Sequence, residues 1–255
     1  DYIPTVESVS MGVWVRAGTR YGMPQDNGVA HLLEHMIFKG TNKRSAKEIA
    51  EAIETVGGNI NAYTSREMTA YYAKVLKADV KLAVDVLSDI LQYSVFDNYE
   101  LERERSVVLQ EIGQANDIPD DVVFDNFQST AFRNQALGRP VLGKSDIVSG
   151  LSRDAIVGFR DEYYQTPQMV VAAAGNVDHE EFFDYVGLNF EALKNKKTSM
   201  INKSTYTSGE YRETRDLEQI HLILGFPSAA MGSHEFYGMS ILSNLFGGGM
   251  SSRLF

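Results

Sequence analysis

Short runs with apolar residues at every second position alternate along this chain with longer runs that carry them at helical spacing, and that alternation admits few folds. Val9, Met11, Val13 and Val15 read as a half-buried strand. Asn59 to Thr64 and Met68 to Leu76 read as two more, around a Ser65-Arg66-Glu67 turn. Met169 to Ala174 is a short apolar run expected to be buried on both faces. Helical stretches separate them: Gly28 to Phe38, with Asp26 or Asn27 as the cap, and Lys47 to Val56, ended by Gly57-Gly58. Ala78 to Tyr93, Asn98 to Gln114, Asp120 to Arg133, Arg153 to Tyr164 and Asp178 to Leu193 follow. The pattern predicts an α/β chain of the α+β kind, a mixed β-sheet covered by helices.

Composition narrows the function classes. The chain has 255 residues, 44% apolar and 23% charged, which is enough for one large or two medium domains and excludes a largely disordered chain. It has no cysteine, so disulfides, thiolate metal sites and cysteine nucleophiles are excluded together. The formal charge of −10 argues against nucleic acid as a partner and suits basic substrates. No apolar run approaches the roughly 20 residues that span a bilayer, so no membrane partner is expected. The chain opens at Asp1 without an initiator Met or signal peptide, and both ends are expected to be cut from something longer. The bacterial cytoplasm is the expected compartment; a periplasm or a mitochondrial matrix fits the composition equally.

Lys194 to Gly209 is polar, rich in Lys, Ser and Thr, and has neither period, so it reads as a linker after a domain of residues 1–193. Residues 210–255 read as the start of a second, homologous half. Shifted by 211, Ile220, Leu222, Leu224 and Phe226 fall on Val9, Met11, Val13 and Val15, and a helical stretch from Glu235 to Phe246 falls near the first helix. The same shift sets Leu242, Leu245 and Phe246 opposite His31, Glu34 and His35, so the second half lacks their polar chemistry.

That chemistry is the run His31-Leu32-Leu33-Glu34-His35. Residues four apart share a helix face, so two imidazoles converge on one point with Glu34 beside it. Neutral imidazole is the commonest protein ligand of zinc, and a catalytic site needs a third ligand and an open position. Glu104 and Glu111 are two turns apart on one face of a later helix, beside Val107 and Val108. Carboxylates on a partly inward face are costly unless paired or metal-bound. One of them completes the metal set; the other holds a ligand histidine by its free ring N–H. Glu34, not a ligand, is then the general base for the attacking water.

HLLEH is the inverted zinc-peptidase motif. The flanking stretches GVAHLLEHMIFKGT, GGNINAYTSREMTAYYAKV, ERERSVVLQEI, PDDVVFDNF and LGRPVLG resemble the pitrilysin family, most closely its processing-peptidase β-subunits and their bacterial relatives. The resemblance implies homologous half-domains in tandem, one zinc ion per chain on His31, His35 and Glu111, Glu34 as base and Glu104 as supporting carboxylate. It implies that Asn61, Ala62 and Tyr63 form an edge strand to which a substrate peptide adds, that Phe38 lines an apolar pocket just after the cut, and that Asp121 and Asp125 attract an arginine two residues before it. It also implies a homodimer, or a heterodimer with a homologous subunit, acting as a zinc endopeptidase on extended, presequence-like basic peptides. The competing expectations are a non-catalytic scaffold subunit of the same family and a structural zinc module with four protein ligands.

Overall fold

The computed structural model describes residues 1–196, 201 and 203–255, which form two compact units, Asp1–Thr214 and Arg215–Phe255. In the first unit β1 (Ser8–Val15) is followed by α1 (Val29–Ile37), α2 (Ala46–Glu54) and the hairpin β2 (Asn59–Thr64) and β3 (Thr69–Leu76). Then come α3 (Val80–Tyr93), α4 (Asn98–Asp117), α5 (Pro119–Ala131), α6 (Ser145–Val148), α7 (Arg153–Tyr163), β4 (Met169–Gly175) and α8 (His179–Asn189).

The strands lie in the order β2-β3-β1-β4, and their ladders are all antiparallel. The mixed sheet expected above is met only by one parallel bridge, Tyr2 to Gly175. The short turn after β2 leaves β3 no other direction. Register sorts the side chains. Val9 faces Val75, Met11 faces Ala73, Val13 faces Tyr71 and Val15 faces Thr69, and all eight are buried. The α3 helix packs over β1 and β3, and α1 over β2, on that apolar face. Burying Leu32, Leu33, Met36 and Ile37 of α1 contributes roughly 1.5–3 kcal/mol each.

β4 departs from expectation. Its residues alternate between half-buried and exposed, and Val170 is 63% exposed. As the last strand of an antiparallel sheet it has helices on one face only, so an unbroken apolar run was a poor guide.

Two local devices set the position of α1. Neither Asp26 nor Asn27 caps it; the cap is Gly28, at φ 102°. A Cβ there would meet Val148 Cγ2 at 2.7 Å and the Leu142 carbonyl at 2.9 Å, so the helix start is pressed against the loop before α6. The Asn27 amide donates instead to the Pro140 carbonyl at 3.2 Å. The α4 helix begins at Asp97, whose carboxylate accepts from the Tyr99 and Glu100 N–H groups at 2.8 and 3.2 Å. It runs to Asp117, past the expected Gln114, because nothing stops it before Pro119. Val108 is buried on its inner face, whereas Val107, expected there too, is 40% exposed.

Of the stretch read as a linker, residues 197–200 and 202 lie outside the described residues. The Thr205 N–H donates to Gln135 Oε1 and the Thr207 N–H to the Ala131 carbonyl, each at 2.8 Å, within the first unit. In the second unit α9 (Phe236–Gly247) forms where a helix was expected. The strand expected at Ile220 to Phe226 does not. Ile220, Leu222, Leu224 and Phe226 are 75–96% exposed, and among the described residues of this unit no second strand exists to pair with them.

Candidate metal centre

The α1 helix packs against α4, and the polar positions of both helices meet where they touch. His31 and His35 lie one turn apart on α1, ring centroids 4.8 Å apart and planes at 73°. Glu111 Oε2 stands 3.6 Å from His31 Nε2 and 3.6 Å from His35 Nε2. One donor atom from each residue lies within 4.8 Å of the other two. These separations exceed hydrogen bonds. They match the ~3.4 Å edge between two donors of a tetrahedral zinc ion with ligand distances near 2.1 Å.

The protonation states suit a metal. Burial, and then the charge of His35, pushes the His31 pKa down to about 4, so the ring is neutral at neutral pH. Its Nδ1 is buried without a hydrogen-bond partner, an isolated ring that a metal bond at Nε2 would anchor. His35 is held differently: its Nδ1 stands 3.1 Å from Glu104 Oε2. A proton on Nδ1 donating to that carboxylate leaves the Nε2 lone pair free. Glu104 Oε1 in turn is 2.8 Å from Lys39 Nζ. The residues present therefore fit one zinc ion.

Glu34 lies between these groups. Burial raises its pKa, and the negative charge of Glu111 adds to the rise. The hydroxyl and backbone N–H of Thr64, at the end of β2, face its carboxyl and with His35 pull the other way. Its Oε2 is buried without a hydrogen-bond partner. A raised pKa and a bare oxygen are common among groups that exchange protons at functional sites.

The residues expected to meet substrate lie on β2, just after α1 and on α5. β2 is an edge strand, with no further strand of the sheet on its outer side. Asn61 is exposed, and its Oδ1 accepts from the Ala62 N–H at 2.8 Å; Tyr63 is 42% exposed, with its ring 6.2 Å from that of Tyr72. Phe38 follows α1 and packs half-buried against the core, 6.2 Å from the ring of Tyr71. Asp121 and Asp125 are both exposed on α5, and Asp125 is already paired, its Oδ1 2.6 Å from Arg66.

Sequence reasoning missed Lys39, Thr64, Arg66 and the Tyr71–Tyr164 pair. Lys39 had a signal, its position four residues after His35. The others had none, because each meets its partner through tertiary packing.

Residues 1–145 match the family profile described as "Insulinase (Peptidase family M16)", and residues 150–255 match one described as "Peptidase M16 inactive domain". The Bacillus subtilis "Uncharacterized zinc protease YmxG" is 40% identical over 253 residues, covering 99% of this chain and 62% of its own length. An "Uncharacterized zinc protease" of Streptomyces coelicolor is 42% identical over 264 residues, covering 100% of this chain and 58% of its own. The chain thus spans 58–62% of the length of these relatives. Among solved structures, a protease from Helicobacter pylori superposes with a TM-score of 0.73 at 25% identity, over 78% of this chain and 49% of that one. Pitrilysin superposes with a TM-score of 0.70 at 25% identity, over 78% of this chain and 22% of its own. With more than half of its residues matched by the peptidase profile, the chain belongs to the insulinase family of peptidases, family M16.

Proposed function

We propose that this chain carries the metal half of a zinc endopeptidase that hydrolyses extended peptides. The observation that carries the reading is the convergence of His31 Nε2, His35 Nε2 and Glu111 Oε2 beside the unpartnered carboxyl oxygen of Glu34. A zinc ion held by those three atoms would supply Lewis acidity toward water and the scissile carbonyl. The chain's own groups do the rest. Glu34 takes the proton of the attacking water and returns it to the leaving amine. Glu104 keeps His35 in the tautomer that offers Nε2. The outer edge of β2, with Asn61, Ala62 and Tyr63, receives the peptide main chain as an added strand, displacing Asn61 Oδ1 from the Ala62 N–H, which gives sequence-tolerant binding. Phe38 lines the subsite after the cut, and Asp121 and Asp125 favour a basic residue before it. The net charge of −10 acts in the same direction over longer range.

We place the protein in the bacterial cytoplasm, as a homodimer or paired with a homologous subunit. The bacterial sources of its relatives support the first part. Among the described residues no helix is long and apolar enough to cross a membrane.

A second reading, a non-catalytic partner subunit, draws on the match of residues 150–255 to a domain described as inactive. That stretch holds none of the four residues named above, which all lie in the part matched by the peptidase profile. The test is zinc content and peptide cleavage by the full-length protein, with Glu34→Gln beside it. Bound zinc with cleavage lost in the variant supports the peptidase; bound zinc with no cleavage by the parent supports the partner subunit.

A further inference from the structure

The carboxylate that holds His35 is itself held. Glu104 is 7% exposed, on the inner face of α4. Among the described residues its ion-pair partners are two, one on each oxygen. His35 Nδ1 is 3.1 Å from Oε2, and Lys39 Nζ is 2.8 Å from Oε1. Lys39 lies one turn beyond His35, just past the end of α1, with its side chain 29% exposed. Its stem follows the protein surface while its ammonium turns in to the buried carboxylate.

Three consequences follow from this arrangement. A carboxylate this deeply buried needs an opposite charge, and Lys39 supplies the permanent one. With a hydrogen-bond donor on each oxygen the carboxylate plane cannot turn, so Oε2 stays aimed at Nδ1. The His35 ring is thereby fixed from behind, with Nε2 toward Glu111.

We propose that Lys39 is a positioning residue of the metal centre, acting through Glu104 on His35. The proposal rests on the zinc reading above and adds a residue to it. Lys39, Glu104 and His35 form one chain of contacts from the end of α1, across to α4, and back to α1. Lysine at this place sets how tightly the centre holds its ion, independently of the chemistry performed there.

The test uses the full-length protein and reads zinc affinity by competition with a chromogenic chelator, with no substrate present. Lys39→Met keeps the length of the stem and removes the charge; Lys39→Gln is a second neutral variant, and Lys39→Arg restores a donor. Thermal unfolding of the metal-free proteins identifies which variants are folded. Loss of a group behind a metal ligand weakens binding about 10–100-fold, and that is the expected loss in Lys39→Met and Lys39→Gln, with most of it regained in Lys39→Arg. Because Lys39 acts through Glu104, the double variant Lys39→Met/Glu104→Gln is expected to bind zinc no more weakly than Glu104→Gln alone. Folded neutral variants with parental affinity overturn the proposal and leave the zinc reading intact. Fully additive losses in the double variant overturn it too. A parent protein that binds no zinc overturns both.

Discussion

Arg66 and Asp125 form an ion pair, Nη2 to Oδ1 at 2.6 Å, that ties the β2–β3 turn to α5. Arg66 stands two residues beyond Thr64, whose groups face the Glu34 carboxyl. The acidic side chain proposed to attract a substrate cation is therefore occupied by the protein's own guanidinium. Asp125 is half exposed, so the pair is worth ~0.2–1 kcal/mol, a modest tax on any incoming arginine. In the full-length protein, Arg66→Gln is expected to raise the kcat/KM ratio of an arginine peptide over its glutamine analogue by roughly 1.4- to 5-fold, the same energy expressed as a ratio. The gain should fade at high salt. An unchanged ratio would remove Asp125 from the subsite.

Glu34→Gln keeps the size of the side chain and abolishes its basicity. General-base catalysis is worth about 10²–10⁴-fold, so kcat should fall at least that far while zinc content stays at the parental level. Atomic absorption on the purified variant and a fluorogenic peptide assay are sufficient. Zinc-loaded protein with parental kcat would reject Glu34 as the base.

Acid should destabilise the metal-free protein through His31. Its folded pKa, about 4, lies below the ordinary imidazole value of 6.5, so in that window the unfolded chain binds the extra proton and the native state does not. The contribution is complete above pH 6.5 and is lost as pH falls toward 4. The denaturant midpoint of the parent should drop over this interval more than that of His31→Asn. Parallel pH profiles for the two proteins would contradict the assignment.

Tyr71 and Tyr164 share a hydrogen bond of 2.8 Å between fully buried hydroxyls. Burial raises both pKa values, and the charge of Glu34 adds to the rise. Removing the Tyr164 hydroxyl strands that of Tyr71, at about 1–3 kcal/mol, whereas Tyr164 without its partner keeps its hydrogen bond with Thr69. Removing both leaves nothing unpaired. The double Phe variant should therefore be less destabilised than the sum of the single variants, in urea unfolding of the metal-free protein. Strict additivity would mean the pair is not coupled.

Much of the fold was readable from periodicity because the first unit is built the ordinary way, with one apolar face on each strand and one stripe on each helix. Val9, Met11, Val13 and Val15 appeared as a strand and are one. The failures share a cause. Val170 looked like interior because an apolar run carries no information about which face a neighbour covers. Ile220 to Phe226 alternates as well as β1 does, but alternation becomes a strand only where a ladder partner exists. Gly28 hid its role as a cap because that role depends on Val148, more than a hundred residues later.

The metal centre was legible in a different way. Spacing alone paired His31 with His35 and Glu104 with Glu111, since each pair lies within one helix. Which glutamate approaches the imidazoles is a question about how α1 crosses α4, and no helical wheel contains it. The expectation that Glu111 approaches the pair came from the family resemblance; the 3.6 Å distances come from the packing.

The two imidazoles belong to a helix that leaves the ribosome well before the carboxylate across from them. At that stage the growing polypeptide offers a two-toothed grip, from which an ion would exchange freely. Only when the long fourth helix swings into place does the grip close. On the proposed zinc reading, a chain stalled short of residue 111 would carry the recognisable motif without the third ligand.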